Sequence, residues 1–166
     1  MRLILDGYNL IGALKRYATR NTGSLDVSRE LLVNDTLKAA GWTGDEIVVV
    51  FDAARSPTPG RTEVRAGGAV RVIYSTEGQT ADDLIERLVA AANIPMTVCT
   101  GDFALQRAVL ARGGTRSTPR EFEELLNELP TVTKTPSTPF HTMVVDRLSP
   151  ETLQALEELR RRPGGG

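Results

Sequence analysis

Short apolar runs that each stop at an acid or at a Ser/Thr–Gly turn constrain this chain more than any other feature. Leu3-Ile4-Leu5 ends at Asp6, Ile47-Val-Val-Val-Phe51 ends at Asp52, and Met96-Thr-Val-Cys-Thr100 is followed by Gly101-Asp102. A further run over residues 69–74 is closed by Ser75-Thr76-Glu77-Gly78. Runs of this length, rich in β-branched residues and bounded by turn signals, read as buried strands. Segments of helical spacing lie between them, and that alternation predicts an α/β fold with a mostly parallel sheet covered on both faces. Ligands of such sheets bind at the carboxyl ends of the strands, which is where these acids stand. Neighbouring strands lie about 4.8 Å apart, so acids at their ends can converge on one small volume.

The helical segments carry their own punctuation. Asp26 is expected to cap a helix over residues 26–40, with Gly41 as its stop. Thr80 reads as the cap of the next helix, with Asp83 completing a capping box and Leu84, Ile85, Leu88 and Ala92 at helical spacing. Asp82 and Asp83 open that helix. A short helix is expected over 103–111, a brief strand over 115–117, and a helix over 119–129 that begins at Pro119. The stretch 15–24 is polar, and 53–68 reads as a long Pro/Gly/Arg loop, a length that in compact domains usually marks function or disorder. Residues 131–142 read as a linker, and Ser149-Pro150 starts a last helix ending in Arg160, Arg161 and Arg162.

The acids select a chemistry. Two carboxylates about 5 Å apart repel by roughly 3 kcal/mol at an effective dielectric near 20, so a crevice lined by three or four of them calls for a cation. Oxygen ligands suit Mg²⁺ or Mn²⁺, whereas zinc is usually held by Cys or His. The one histidine, His141, falls in the linker stretch, and the one cysteine, Cys99, falls inside a strand-like run. Ser–His–Asp and Cys–His catalysis therefore have no cast. Metal-assisted phosphodiester hydrolysis needs no histidine base.

A net charge of −1 argues against a basic nucleic-acid coat but leaves room for a local basic patch. Arg55, Arg61 and Arg65 on the 53–68 loop are the candidates for phosphate steering. Tyr8 and Tyr74 stand where they could either stack a base or pack against the core. No apolar run approaches the roughly 18 residues of a membrane span, and no charged-then-apolar leader opens the chain. A cytoplasmic protein without membrane contact is expected.

Four segments, Asp6-Gly-Tyr-Asn-Leu-Ile11, Val50-Phe-Asp52-Ala, Ser75-Thr-Glu-Gly-Gln-Thr-Ala-Asp82 and Thr100-Gly-Asp102, stand in an order that resembles NYN-domain proteins. The resemblance is to the YacP-like branch within the PIN/FLAP-nuclease-like group. Ser117-Thr-Pro-Arg-Glu-Phe122 and Arg147-Leu-Ser-Pro150 resemble the same branch, so the likeness runs over about residues 1–162. It implies a three-layer α/β/α Rossmann-like (PIN-like) domain over residues 1–130, with the linker and C-terminal helix of 131–166 packing on or beside it. It also implies a Mg²⁺- or Mn²⁺-dependent endoribonuclease, its partner RNA, mRNA in a ribosomal context included. In this resemblance Asp6, Asp82 and Asp102 match the catalytic acids that hold the metal. Asp52 and Glu77 are outer ligands, and Asn9 is an asparagine beside the site. Gly101 departs from the family, which usually has a serine-like residue there. The alternative is a non-catalytic RNA- or ribosome-binding module with a degenerate PIN-like site.

Overall fold

In the computed structural model the described residues are 2–55 and 58–130. The expected linker with His141 and the last helix with its arginines lie outside them. Six strands form one sheet: β1 (Arg2–Asp6), β2 (Glu46–Phe51), β3 (Thr62–Arg65), β4 (Val70–Tyr74), β5 (Met96–Cys99) and β6 (Thr115–Ser117). Their spatial order is β3-β4-β2-β1-β5-β6, and all pairs are parallel except β3 with β4.

Side chains alternate across this sheet and divide the core in two. Leu5, Val49, Val72 and Cys99 pack with helices α1 (Gly7–Ala13), α3 (Leu25–Thr43) and α6 (Pro119–Glu128). Ile4, Val48, Val50 and Val98 pack on the opposite face with α4 (Ala81–Ala90) and α5 (Phe103–Ala111). Ile4, Leu5, Val49 and Val50 have no exposed surface, each worth about 1.5–3 kcal/mol of transfer free energy. The result is the expected three-layer α/β/α architecture. No helix among the described residues is long and apolar enough to cross a membrane.

The order of the strands sets the position of the crevice. From β1 the chain moves outward through β2 to β4, then returns to place β5 on the other side of β1. The switch point therefore lies between β1 and β5, and the crevice outside their carboxyl ends is the binding position of such sheets. Leu5 pairs with Cys99, so Thr100 comes level with Asp6.

The structure departs from the sequence reading at four places. Asp6 is followed by a helix, α1, where the sequence suggests only a turn. The polar stretch after it holds a 3-10 turn (Lys15–Tyr17) and the short helix α2 (Thr19–Thr22). Helix α3 is capped by Ser24, whose hydroxyl accepts from the Val27 amide, and Asp26 sits inside its first turn. That helix runs past Gly41 to Gly44, whose φ of 71° gives the left-handed C-cap. The 53–68 segment contains the antiparallel edge strand β3.

Candidate active site

Asp6 is the last residue of β1 and the N-cap of α1. One carboxylate oxygen accepts a long bond, 3.4 Å, from the Asn9 amide, and the other accepts the Thr100 hydroxyl at 2.9 Å. The backbone around it is tightly confined. A Cβ on Gly7 would lie 2.3 Å from the Phe51 ring and 2.9 Å from the Val50 carbonyl oxygen, so only glycine lets α1 start this close to β2.

The loop after β5 is tied once to α1 and braced once within itself. The Gly101 amide donates to Asn9 Oδ1 at 2.6 Å, and the Asp102 amide donates to Thr100 Oγ1 at 3.1 Å. Gln106, buried on α5, donates to the Thr100 carbonyl at 2.6 Å. A Cβ at position 101 would stand 3.1 Å from Asn9 Oδ1. Glycine at position 101 therefore suits this close approach of Asn9. Asp102 caps α5 through a single oxygen, which accepts from Ala104 and Leu105 at 2.8 and 2.9 Å.

Asp82 reaches the same region from the first turn of α4. Its carboxylate makes no hydrogen bond or ion pair among the described residues. Asp83 behaves as its sequence position predicts, closing the capping box with Thr80. Asp52 turns both oxygens to backbone amides, those of Ala54 at 2.8 Å and Ala81 at 3.0 Å, and so joins the end of β2 to the start of α4. Glu77 is exposed on the turn before α4, at the rim of a cleft it shares with Asp52 and Thr80.

The acids act on one another electrostatically. Burial pushes the Asp6 carboxyl up to about 6. The bonds from Thr100 and Asn9 oppose that rise, and the charges of Asp82 and Asp102 add to it. Asp82 is also raised, first by desolvation, then by Asp102, Asp83, Glu86 and Asp52. Among the described residues no three His, Cys, Asp or Glu stand close enough to form a ready-made metal cage. The donor chemistry nevertheless suits a hard cation. It consists of carboxylate oxygens. Asp82 has no hydrogen-bond or ion-pair partner among the described residues, while the charges of Asp102, Asp83, Glu86 and Asp52 all act on it. Mg²⁺ commonly uses one or two carboxylates and keeps several waters.

The predicted arginines divide. Arg55 lies over the Tyr8 ring, 6.0 Å from its centroid, and makes no ion pair among the described residues. Arg61 and Arg65 on the β3 side both pair with Glu63, at 3.2 and 2.6 Å. Tyr8 and Tyr74 prove to be packing residues on either side of Phe51, with centroids 5.0 and 5.4 Å from it. The Tyr8 hydroxyl donates to the Arg55 carbonyl at 2.7 Å and accepts from Arg29 at 2.9 Å.

Three residues that bear on the site carry little sequence signal. Thr100 and Gln106 look like strand-end and helix residues, and only the packing of β5 beside β1 gives them their partners. Phe103, next to Asp102, is 77% exposed. An apolar residue opening α5 reads as core by periodicity, yet the helix buries Leu105 and Val109 and leaves Phe103 outward.

The sequence pattern of the YacP-like NYN domain matches residues 3–161. The chain is similar to the uncharacterized protein YacP of Bacillus subtilis strain 168, with 31% identity over 96% of each chain. Its fold is similar to the crystal structure of Rae1 (YacP) from Bacillus subtilis, with a TM-score of 0.68 and 27% identity over 97% of this chain and 95% of that one. The crystal structure of a point mutant of the same protein gives a TM-score of 0.65 and 31% identity over 77% of this chain and 76% of that one.

Proposed function

This chain belongs to the YacP-like NYN domain family, a nuclease-like family, and from that premise we propose that it is a metal-dependent endoribonuclease. The acids assigned to the reaction are Asp6, Asp82 and Asp102. Asp6 carries the reading: it is 7% exposed at the switch point, its pKa is raised by burial, and two further acids face it. A helix cap requires no such desolvation, and groups perturbed in this way gather at functional sites. Mg²⁺ or Mn²⁺ held by these acids would offset charge on the phosphoryl oxygens and activate water.

The chain's own residues supply positioning. The Thr100 hydroxyl fixes the orientation of Asp6, and Asn9 holds the Gly101 amide so that Asp102 stays beside it. The exposed Phe103 ring offers a face on which a base next to the scissile phosphate can stack, a contact worth about 1–3 kcal/mol in single-strand binding. Arg55, without an ion pair among the described residues, suits a phosphate. Glu77 and Asp52 would act from outside the metal's immediate ligands.

Incubation of labelled RNA with the protein in Mg²⁺, Mn²⁺ and EDTA tests the proposal. Internal cleavage in one or both metals, abolished by EDTA and lost in Asp6→Asn, is the expected result. One feature favours a second reading, a non-catalytic RNA- or ribosome-binding module: Asp102 serves as a helix cap and Asp52 turns both oxygens to backbone amides. Binding of RNA without cleavage under any metal condition would establish that reading in place of the first.

A further inference from the structure

Beside the acid crevice, α1 and the two helical turns that follow it enclose a hollow of about 580 Å³. Lys15, Arg20 and Arg55 line it, with Tyr8 on one wall, and no acid lies in its lining among the described residues. None of the three cations forms an ion pair among the described residues. Arg16, in the same 3-10 turn as Lys15, pairs with Asp35 at 2.9 Å. Three like charges around one concavity in a chain of net charge −1 repel one another until an anion enters.

The backbone that carries these cations is held independently of their side chains. The Lys15 carbonyl accepts from Asn21 at 2.7 Å, and the Arg55 carbonyl accepts from Tyr8 and Arg29 at 2.7 and 3.2 Å. Tyr17, at the end of the same turn, is buried and donates to Asp35 on α3 at 3.0 Å. The hollow is thus built, and its charged groups are left for a ligand. It also adjoins the crevice directly, because Tyr8 lies in the first turn of the helix that Asp6 caps.

We propose that this hollow holds the sugar–phosphate backbone of single-stranded RNA running to the acids, with Lys15, Arg20 and Arg55 on its phosphates. The assignment rests on the ribonuclease reading above. It also moves the phosphate contacts away from Arg61 and Arg65, which share Glu63 as an ion-pair partner.

The test is binding of a short labelled single-stranded RNA to the full chain in EDTA, across a salt series. Cleavage in Mn²⁺ is followed in parallel. For single strands the slope of log K against log salt changes by about 0.7 for each phosphate contact. Replacing Lys15, Arg20 and Arg55 together by Ala should therefore flatten it by about two units. The control Arg61→Ala/Arg65→Ala should keep the wild-type slope. The three side chains have no ion-pair partners among the described residues and repel one another, so the triple variant should melt no lower than wild type. If it does not fold, the single changes Lys15→Gln, Arg20→Gln and Arg55→Gln should each flatten the slope by about 0.7.

An unchanged slope in folded variants, with wild type still binding and cutting RNA, overturns the hollow and leaves the ribonuclease reading intact. Displacement of the RNA by equimolar AMP or pyrophosphate would make the hollow a site for a free phosphate compound and overturn the backbone assignment. Wild-type protein that binds RNA but cuts none in any metal ends the ribonuclease reading alone. Wild-type protein that neither binds nor cuts RNA ends both.

Discussion

At the scale of single residues, Asp6 makes opposite demands on stability and on chemistry. Its carboxyl stands at about 6 in the fold against 3.8 as an ordinary aspartate, and each unit of difference is 1.36 kcal/mol. The raised value means that folding favours the protonated form. Metal-free stability from this group is therefore fully present below about pH 4 and is lost as pH rises through about 6, by about 3 kcal/mol in all. Asp6→Asn keeps the size and removes the titration. Melting in EDTA from pH 4 to 7 should show the variant gaining on wild type as pH rises. On the proposed metal reading, RNA cleavage by the same variant should fall by at least about two orders of magnitude. A constant difference in Tm across that range would show that Asp6 carries no such burden. The strand-end place of Asp6 was legible from the sequence because a short apolar run closed by Asp-Gly marks where a strand stops. Thr100 and Phe103 were not, because a threonine hydroxyl gains a partner, and a phenylalanine its exposure, only when helices and strands take their places.

At the scale of elements, local chemistry decided which boundaries could be read. The capping boxes of α4 and α6 follow directly from Thr80 with Asp83 and Thr118 with Glu121, and Thr80 with Asp83 was legible without any structure. Helix α1 was not, because seven residues containing two glycines have little intrinsic helicity. It exists because Leu10 and Ile11 are buried against α3 and the sheet. Strand β3 was hidden by the Pro and Gly around it, and four residues at a sheet edge leave almost no pattern. Asp102 tests how an acid can be both cap and site. Asn caps a helix as well as Asp, so Asp102→Asn should keep or slightly raise the metal-free Tm while removing one of the charges that face Asp6 and Asp82. Asp102→Ala should lose about 1 kcal/mol by leaving the Ala104 and Leu105 amides unmet. Both variants should be poor nucleases. Equal melting of the two would mean that the cap contributes nothing.

At the scale of the whole molecule, the alternation of strands and helices was legible, but the order of the strands was not. Period and turn chemistry say that strands exist and lie parallel, whereas only packing says that β5 returns to the side of β1 away from β2. That order separates Asp52 from Asp102 across β1 and makes Asp52 a brace for α4. Mutual repulsion of the acids should couple the fold to the metal. Mn²⁺ at one hundred times its dissociation constant should stabilise the wild type by about 2.7 kcal/mol, read as a rise in Tm. Asp82→Asn, which removes an unpartnered carboxylate, should reduce that rise. A full response in the variant would place the cation elsewhere. The same strand order has a consequence in time. Thr100 meets Asp6 across 94 residues of sequence, and contacts of such separation form late because a long loop must close first. On the ribosome Asp6 is made 94 residues before Thr100, so the strand that completes its crevice arrives well after it. A growing chain of this kind has no complete crevice until β5 docks, so the separation of Asp6 from Thr100 along the chain doubles as a delay on assembly of the acid site.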